Sequence, residues 1–287
     1  MAVRKDTIFE RFLSPIFEHV LIDRTALLAY RNSKDWNAES DRFRNPAVAY
    51  PEYYQSQHFH GVQGGYLNPD AAVTYDAITQ YVVPPNEQWI RQALIERIRC
   101  HPQRILDLGC GTGSTTLLLK QAFPNAEVIG LDLSPYMLTA AQDKAQTAKV
   151  DVQFIHGNAE HTGLGDRSFD LVTASLLFHE TPPSVSQAIL REAARLLRAG
   201  GEVLILDGNQ TVLRHTEWLT NIFEEPYIQA YAQGSVDAWM GMAGLGDVRT
   251  DDVWMIHQVT RGIKPIDSQR VEFDHPTTTD NTQWAIG

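Results

Sequence analysis

The chain has 287 residues, a formal net charge of −11 and 43% hydrophobic residues. This length allows one large domain with an elaborated cap, or two modest domains. The acidic charge argues against a nucleic-acid partner, because phosphate binding depends on basic patches. Cys100 and Cys110 are the two cysteines and provide no disulfide framework, so we expect a reducing compartment.

The first part of the chain, residues 1–95, is predicted to be a helical cap. Apolar residues recur at helical spacing within residues 1–31, but interspersed charges argue against a signal peptide and a membrane-spanning helix. We therefore expect a cytoplasmic protein with no membrane insertion. Residues 32–75 are rich in turn formers and aromatic residues, and they predict a mobile cover over a pocket. A predicted helix at about 87–98 leads into the first strand.

Strand and helix patterns alternate through residues 96–265, which predicts a doubly wound α/β domain. The predicted strands are 104–108, 127–132, 152–156, 169–174 and 202–207, and the predicted helices are 114–123, 135–148 and 184–197. Residues 211–242 are an aromatic-rich insertion that we interpret as a lid. Residues 244–262 fit a pair of strands closing the sheet, and the tail 266–287 is expected to be flexible.

The most informative stretch is the glycine loop, Asp107-Leu108-Gly109-Cys110-Gly111-Thr112-Gly113, between a predicted strand and a predicted helix. Such a loop presents backbone N–H groups and the positive end of a helix dipole to a ligand. Dinucleotide sites favour G-x-G-x-x-G, whereas the spacing here is G-x-G-x-G. Asp132 ends the next strand, where its carboxylate can accept both hydroxyls of a ribose. The pattern predicts a pocket for a nucleoside-bearing ligand.

Four segments in this order resemble the class I S-adenosylmethionine-dependent methyltransferases, in the branch acting mainly on small molecules, quinones and lipids. They are RILDLGCGTGSTTLLL, EVIGLDLSPYMLTAA, VQFIHGNAEHTGLGDRSFDLVTASLLFHE and EAARLLRAGGEVLILD, and they span roughly residues 100–210. The resemblance implies a Rossmann-like, seven-stranded, mostly parallel sheet with one antiparallel strand near the edge. It also implies S-adenosyl-L-methionine as the cofactor and S-adenosyl-L-homocysteine as the product.

The resemblance assigns cofactor contacts residue by residue. Asp107 lies beside the methionine amino group, Asp132 binds the ribose and Leu133 lies against the adenine. Asn158 and Ala159 stand where relatives usually carry Asp-Ala, and an amide can still bond to adenine. The remaining implied contacts are the backbone of Gly109, Gly111 and Gly113, and Ser175 after the fourth strand.

His179 is the candidate general base, because histidine can take a proton near neutral pH from an oxygen or nitrogen acceptor. Alternatively, His179 only packs or caps the following helix, since methyl transfer depends mostly on alignment and exclusion of water. Glu180 is a candidate to tune it.

A second group of side chains is predicted to line the substrate pocket: Tyr54, His58, His60, Tyr66 and Tyr227. An H-x-H pair can chelate a metal, but no third ligand can be assigned, so no metal is predicted. Plain packing of the cap on the core is the alternative for these residues.

The leading interpretation is an S-adenosylmethionine-dependent methyltransferase acting on a small, partly apolar molecule. Oxygen is the favoured target, with carbon or nitrogen possible. The alternatives are a non-catalytic protein that binds S-adenosylmethionine or a nucleoside, and a nicotinamide oxidoreductase, which the glycine spacing disfavours. The sequence leaves the choice between monomer and homodimer open.

Overall fold

The computed structural model describes residues 23–57, 59, 64–82, 85–216 and 226–266 of the chain. A seven-stranded sheet, in the order β3-β2-β1-β4-β5-β7-β6, forms its centre. The strands are β1 (Arg104–Leu108), β2 (Glu127–Asp132), β3 (Gln153–His156), β4 (Phe169–Ser175), β5 (Leu197–Gly208), β6 (Gly246–Val253) and β7 (His257–Ile263). Strands β1 to β5 pair in parallel, and β7 is antiparallel to both of its neighbours. The predicted Rossmann-like sheet is confirmed.

Helices cover both faces of the sheet and extend beyond it. Those within the α/β core are α5 (Glu87–Glu96), α6 (Ser114–Ala122), α7 (Pro135–Ala148) and α8 (Pro183–Leu196). The cap contributes α1 (Arg24–Arg31), α2 (Trp36–Asp41), α3 (Glu52–Gln55) and α4 (Pro69–Val82), and the predicted lid contributes α9 (Gln210–His215), α10 (Ile228–Gln233) and α11 (Val236–Met242). Within the described parts of the chain, no helix combines the length and apolarity needed to cross a membrane.

The core follows from the alternation of side chains along each strand. Ile105 and Leu106 are fully buried, and they belong to separate apolar clusters on opposite faces of the sheet. Parallel strands are covered on both faces and therefore consist of near-continuous apolar residues. Each such side chain contributes about 1.5–3 kcal/mol through its burial.

The cap contains more regular structure than its turn-rich sequence suggests. Helix α4 begins within the segment 32–75 and buries Ala71, Ala72 and Val73 in a cluster that includes Met137 of α7. These buried residues are small and consecutive and give no extended helical periodicity. The sequence pattern therefore did not predict this helix. The cap is also bonded to the sheet, because the backbone N–H of Asn45 donates to Nδ1 of His156 over 2.9 Å.

Candidate active site

A cleft of about 820 Å³, part of it open to solvent, lies where the parallel strands end. The carboxyl ends of strands in a doubly wound sheet form the usual crevice for ligands. Residues from the glycine loop, from the ends of β2, β3 and β4, and from the cap line it: Tyr53, Tyr54, Phe59, Tyr66, Tyr75, Arg91, Gly109, Cys110, Gly111, Thr112, Ser114, Leu131, Asp132, Leu133, Met137, Gly157, Asn158, Ala159, Ser175, Leu176, Leu177, Glu180, Thr181 and Ile189.

The glycine loop approaches this cleft with its backbone. Gly109, Gly111 and Gly113 all have positive φ, the left-handed region that glycine adopts without steric cost. A Cβ at Gly111 would meet no protein atom within 4 Å, whereas a Cβ at Gly109 would lie 2.8 Å from Leu177. Gly111 therefore faces open space in the cleft. Gly113, which precedes α6, is not among the lining residues.

Asp132 joins the glycine loop to the end of β2. Its Oδ2 accepts the backbone N–H of Gly111 and its Oδ1 accepts that of Ser134, each at 2.8 Å. Burial raises the pKa of Asp132 to about 6, although the two backbone N–H donors oppose this shift. Each carboxylate oxygen can accept further bonds. Asp132 can therefore receive ligand hydroxyls from a fixed position.

Asp107 lies behind the loop rather than in the wall of the cleft. Its two oxygens accept the hydroxyls of Thr116 and Thr173 over 2.7 and 2.8 Å, and the residue is only 1% exposed. Burial raises its pKa to about 6, opposed by the two threonine hydroxyls. In this structure Asp107 supports the base of the glycine loop, and its predicted contact with the cofactor amino group stays a prediction.

Four further residues that are predicted to contact the cofactor, at or just after the ends of β2, β3 and β4, all line the cleft: Leu133, Asn158, Ala159 and Ser175. The Oδ1 of Asn158 accepts the backbone N–H of Glu160 at 2.9 Å, which fixes the amide plane. The hydroxyl of Ser175 is buried and has no hydrogen-bond partner within the described part of the chain. Buried polar groups nearly always have a partner, so this hydroxyl is free to bond a water molecule or a ligand atom in the cleft.

Arg91 of α5 is a lining residue that the sequence analysis missed. Its Nε and Nη2 both donate to Oε1 of Glu87, and its Nη1 donates to the Thr115 hydroxyl at 2.6 Å. The guanidinium thus lies beside the first turn of α6, next to the glycine loop. A Glu-Arg pair four residues apart usually indicates an exposed helix face. The sequence pattern therefore gave no indication that Arg91 is buried.

His179 is paired with a carboxylate that the sequence analysis did not assign to it. Its Nδ1 lies 2.6 Å from Oδ1 of Asp207 at the end of β5, and Asp207 is 1% exposed. Oδ2 of Asp207 also accepts the backbone N–H of Phe178 at 2.8 Å. A carboxylate only accepts, so Nδ1 of His179 donates to Asp207, and in the neutral imidazole Nε2 is then the acceptor nitrogen. Nε2 lies 3.9 Å from Oε1 of Glu180.

Glu180, rather than His179, lies in the wall of the cleft. The hydroxyl of Tyr66 donates to Oε1 of Glu180 over 2.6 Å. Tyr66 is held in turn by the Ser134 hydroxyl, which donates to its backbone carbonyl at 2.6 Å. Asp207, His179, Glu180 and Tyr66 therefore form a row that runs from the sheet into the cap.

Of the predicted substrate-pocket residues, Tyr54 and Tyr66 line the cleft. Tyr227 packs edge-on against Tyr53, with ring centroids 6.4 Å apart, and is not a lining residue. His58 and His60 lie outside the described residues. No group of three or more potential metal ligands occurs among the residues that the structure describes.

Comparison with known proteins places this site in a family. Residues 105–201 match the family described as a methyltransferase domain, and these residues include the glycine loop, Asp132 and His179. This part of the chain is similar to a methyltransferase domain.

Relatives are similar to the chain over part of its length. The chain is 36% identical to the demethylmenaquinone methyltransferase of Thermus thermophilus over 42% of this chain and 54% of the relative. It is 34% identical to the enzyme of that name from Lactiplantibacillus plantarum over 54% of this chain and 65% of the relative. The chain thus spans about half the length of the curated relatives it matches.

A solved structure shows the same fold. Phosphoethanolamine N-methyltransferase 2 of Haemonchus contortus, in complex with S-adenosyl-L-methionine, superposes with a TM-score of 0.56 at 16% identity. The superposition covers 76% of this chain and 61% of that protein. This likeness concerns the architecture of the methyltransferase domain.

Proposed function

We propose that the chain transfers a methyl group from S-adenosyl-L-methionine to a small, partly apolar molecule, with oxygen the favoured target and carbon or nitrogen possible. The observation that carries the proposal is the joint geometry of Gly111 and Asp132. An open glycine backbone lies hydrogen-bonded to a buried carboxylate in the wall of a cleft of about 820 Å³. This geometry suits a nucleoside whose ribose hydroxyls bind a strand-terminal carboxylate.

The residues present fit this cofactor. Asp132 would accept the ribose hydroxyls, while Leu133, Asn158 and Ala159 would surround the adenine. Two positive groups lie at the loop end of the cleft: the guanidinium of Arg91, which is paired with Glu87, and the ammonium of Lys144, which donates to the hydroxyls of Thr112 and Ser114. The unpartnered hydroxyl of Ser175 supplies a further polar contact. When bound, the cofactor supplies a methyl group already activated by its sulfonium.

The protein then has to orient the acceptor, exclude water and receive a proton. The cap side chains Tyr54 and Tyr66 close one wall of the cleft. His179 has Nε2 as its acceptor atom, since Asp207 holds the hydrogen on Nδ1. We infer that His179, which lies behind Glu180 and not in the wall of the cleft, takes the acceptor proton when the acceptor reaches past Glu180, and that Asp207 stabilises the resulting imidazolium.

The experiment has a binding part and a transfer part. Calorimetry should show that S-adenosyl-L-homocysteine binds while NAD does not. Incubation of the protein with isotopically labelled S-adenosyl-L-methionine and a metabolite extract should then yield a labelled small molecule. Binding of S-adenosyl-L-homocysteine without any transfer would favour a non-catalytic binding protein, and binding of NAD alone would refute the proposal.

A further inference from the structure

An acidic residue of helix α4 joins the cap to the glycine loop. Oδ1 of Asp76 accepts the hydroxyl of Thr112 over 2.5 Å, and Oδ2 of Asp76 lies 2.6 Å from Nζ of Lys144. Lys144 belongs to α7, whereas Thr112 lies between Gly111 and Gly113 in the loop. Asp76 therefore connects three parts of the molecule, which are the cap, the loop and the α/β core.

The other contacts of Lys144 complete this arrangement. Its ammonium group also donates to the hydroxyls of Thr112 and Ser114, over 3.0 and 2.9 Å. An ammonium group has three N–H donors, so Asp76, Thr112 and Ser114 can accept all three of them. The Thr112 hydroxyl in turn donates to Asp76 and accepts from Lys144. We call the three residues Asp76, Thr112 and Lys144 the cap clasp.

The glycine loop needs such contacts because its backbone is costly to order. Gly109, Gly111 and Gly113 all have positive φ, and glycine loses more conformational freedom on folding than any other residue. On the side of the sheet, Asp132 accepts the backbone N–H of Gly111. On the side of the cap, the cap clasp binds Thr112, which lines the cleft and is only 1% exposed. The loop is thus held from two sides, and one of them belongs to the cap.

We propose that Asp76 is a positioning residue of the cofactor site, which binds Thr112 and thereby fixes the loop backbone in the conformation that receives S-adenosyl-L-methionine. This inference rests on the proposed function, since it concerns the loop that would bind that cofactor. Asp76 itself is not a lining residue, so it acts through Thr112. Because coupling between two sites is reciprocal, binding of the cofactor also strengthens the docking of α4.

The sign of the effect of Asp76→Ala distinguishes positioning from simple electrostatics. In this variant the ammonium of Lys144 loses its counter-charge, and an uncompensated ammonium beside the loop would attract the carboxylate of S-adenosyl-L-homocysteine. Electrostatics alone would therefore tighten binding, whereas loss of positioning weakens it, because the ligand then has to order the loop. Calorimetry with the full chain should give roughly tenfold weaker binding. Unchanged or tighter binding would overturn the proposal.

Asp70→Ala is the matched control on the same helix. Asp70 is paired with Arg31 of α1 over 2.7 Å, and the side chains of Asp70 and Asp76 are 41% and 43% exposed. Each substitution therefore removes a partly exposed ion pair between α4 and another helix. Asp70→Ala should bind S-adenosyl-L-homocysteine within about twofold of the unaltered chain. Equal weakening by the two variants would show that the general stability of the cap controls binding, and it would overturn the proposal.

Hydrogen exchange without ligand tests the state of the loop directly. The amides of Gly111 and Gly113 donate to Asp132 and to the backbone carbonyl of Cys110. They should exchange faster in Asp76→Ala than in the unaltered chain, and at the native rate in the control variant. Native rates in Asp76→Ala would overturn the proposal. If S-adenosyl-L-homocysteine does not bind to the unaltered chain, the proposed function fails, while these exchange rates still decide whether Asp76 holds the loop.

A double-mutant cycle shows whether Asp76 acts through Thr112. Thr112→Val has a side chain of similar shape but no hydroxyl to donate to Asp76. Adding Asp76→Ala to this variant should weaken binding of S-adenosyl-L-homocysteine by less than about twofold further. Additive effects of the two substitutions would mean that Asp76 acts by another route, and they would overturn the proposal. The comparison of Asp76→Ala with Asp70→Ala decides the question even if the valine variant fails to fold.

Discussion

Asp207 fixes the hydrogen-bonding role of His179, since its Oδ1 lies 2.6 Å from Nδ1 of the imidazole. In Asp207→Asn the amide oxygen can still accept the backbone N–H of Phe178. The NH₂ group then takes the position of Oδ1, where it loses the bond from the backbone N–H of Gly208 and donates to Nδ1, which moves the imidazole hydrogen to Nε2. We expect turnover to fall by about 10²–10⁴-fold if His179 is the base. Affinity for S-adenosyl-L-homocysteine should be unchanged.

The shift of the hydrogen can be measured without a known acceptor. Nitrogen-15 NMR of the histidines should show Nε2 of His179 unprotonated in the native chain and protonated in Asp207→Asn. If the variant has the native tautomer and native turnover, Asp207 has no positioning role for this base.

Asp132→Asn should weaken binding of S-adenosyl-L-homocysteine by about 1–3 kcal/mol, the scale of losing charge-assisted hydrogen bonds. The pKa of Asp132 is raised to about 6 in the folded protein. Because ribose hydroxyls need an ionised acceptor, affinity of the native chain should drop about tenfold between pH 7 and pH 5. The variant should not show this dependence, and a variant with the native pH profile would remove Asp132 from the site.

Gly111→Val should abolish cofactor binding, and Gly163→Val provides a matched control. Both glycines have positive φ, and a Cβ at either position would meet no atom within 4 Å. Backbone strain should therefore cost the two variants a similar free energy of unfolding. Gly163 is not among the residues that line the cleft, so its variant should bind S-adenosyl-L-homocysteine normally. Equal binding by both variants would show that the glycine loop is not the cofactor site.

Asp107 should make the fold less stable as the pH rises. Its pKa of about 6 lies above the ordinary value of 3.8 because the carboxyl is buried. A raised carboxyl pKa contributes stability that is present below pH 4 and is lost as the pH rises through 6. We expect Asp107→Asn to gain about 3 kcal/mol relative to the native chain between pH 3 and pH 7. Urea unfolding at a series of pH values measures this difference.

Asp170 is the control, because the pH dependence of its contribution to stability should have the opposite sign. Burial raises its pKa, but the backbone N–H groups of Gln103 and Arg104 and the side chain of Arg198 outweigh this and lower it below the ordinary value. Its stabilising contribution is present at neutral pH and is lost as the pH falls through the lowered pKa. Asp170→Asn should therefore be most destabilising at pH 7. A parallel pH dependence of the two variants would contradict both assignments.

The cap should become more protected when ligands bind. Amides in the described part of 32–75 should exchange more slowly with S-adenosyl-L-homocysteine and an acceptor present, while β1 stays protected throughout. The bonds from Asn45 to His156 and from Ser134 to Tyr66 are two of the attachments between the cap and the core. If the segment is as protected as β1 without ligand, it is a fixed wall and not a moving cover.

The central sheet could be predicted from the sequence because its signals are local. The apolar runs that end in Asp107 and Asp132 define two strands, and the glycine loop defines the turn between strand and helix. The pairing of His179 with Asp207 could not be predicted, since it depends on β4 and β5 lying side by side. The sequence did offer one signal that Asp207 belongs to the site: it ends an apolar strand, as Asp107 and Asp132 do.

Sequence reasoning named Tyr54 and Tyr66 of the aromatic wall but not Phe59 or Tyr75. Tyr75 belongs to α4, and its place in the cleft depends on how that helix docks on α7. Arg91 has a sequence context typical of an exposed helix face, and only tertiary packing buries it. Long-range docking is determined by the summed shape of many side chains, and no short motif encodes it.

The two walls of the cleft come from different stretches of chain. The glycine loop, Asp132 and Asn158 lie within residues 105–201, which match the methyltransferase-domain family, whereas Tyr54, Phe59, Tyr66 and Tyr75 precede that region. Substitutions in the earlier stretch can therefore alter which molecule is admitted without touching the nucleoside contacts. The choice of substrate can thus change through the earlier stretch while the proposed cofactor contacts of the later stretch are retained.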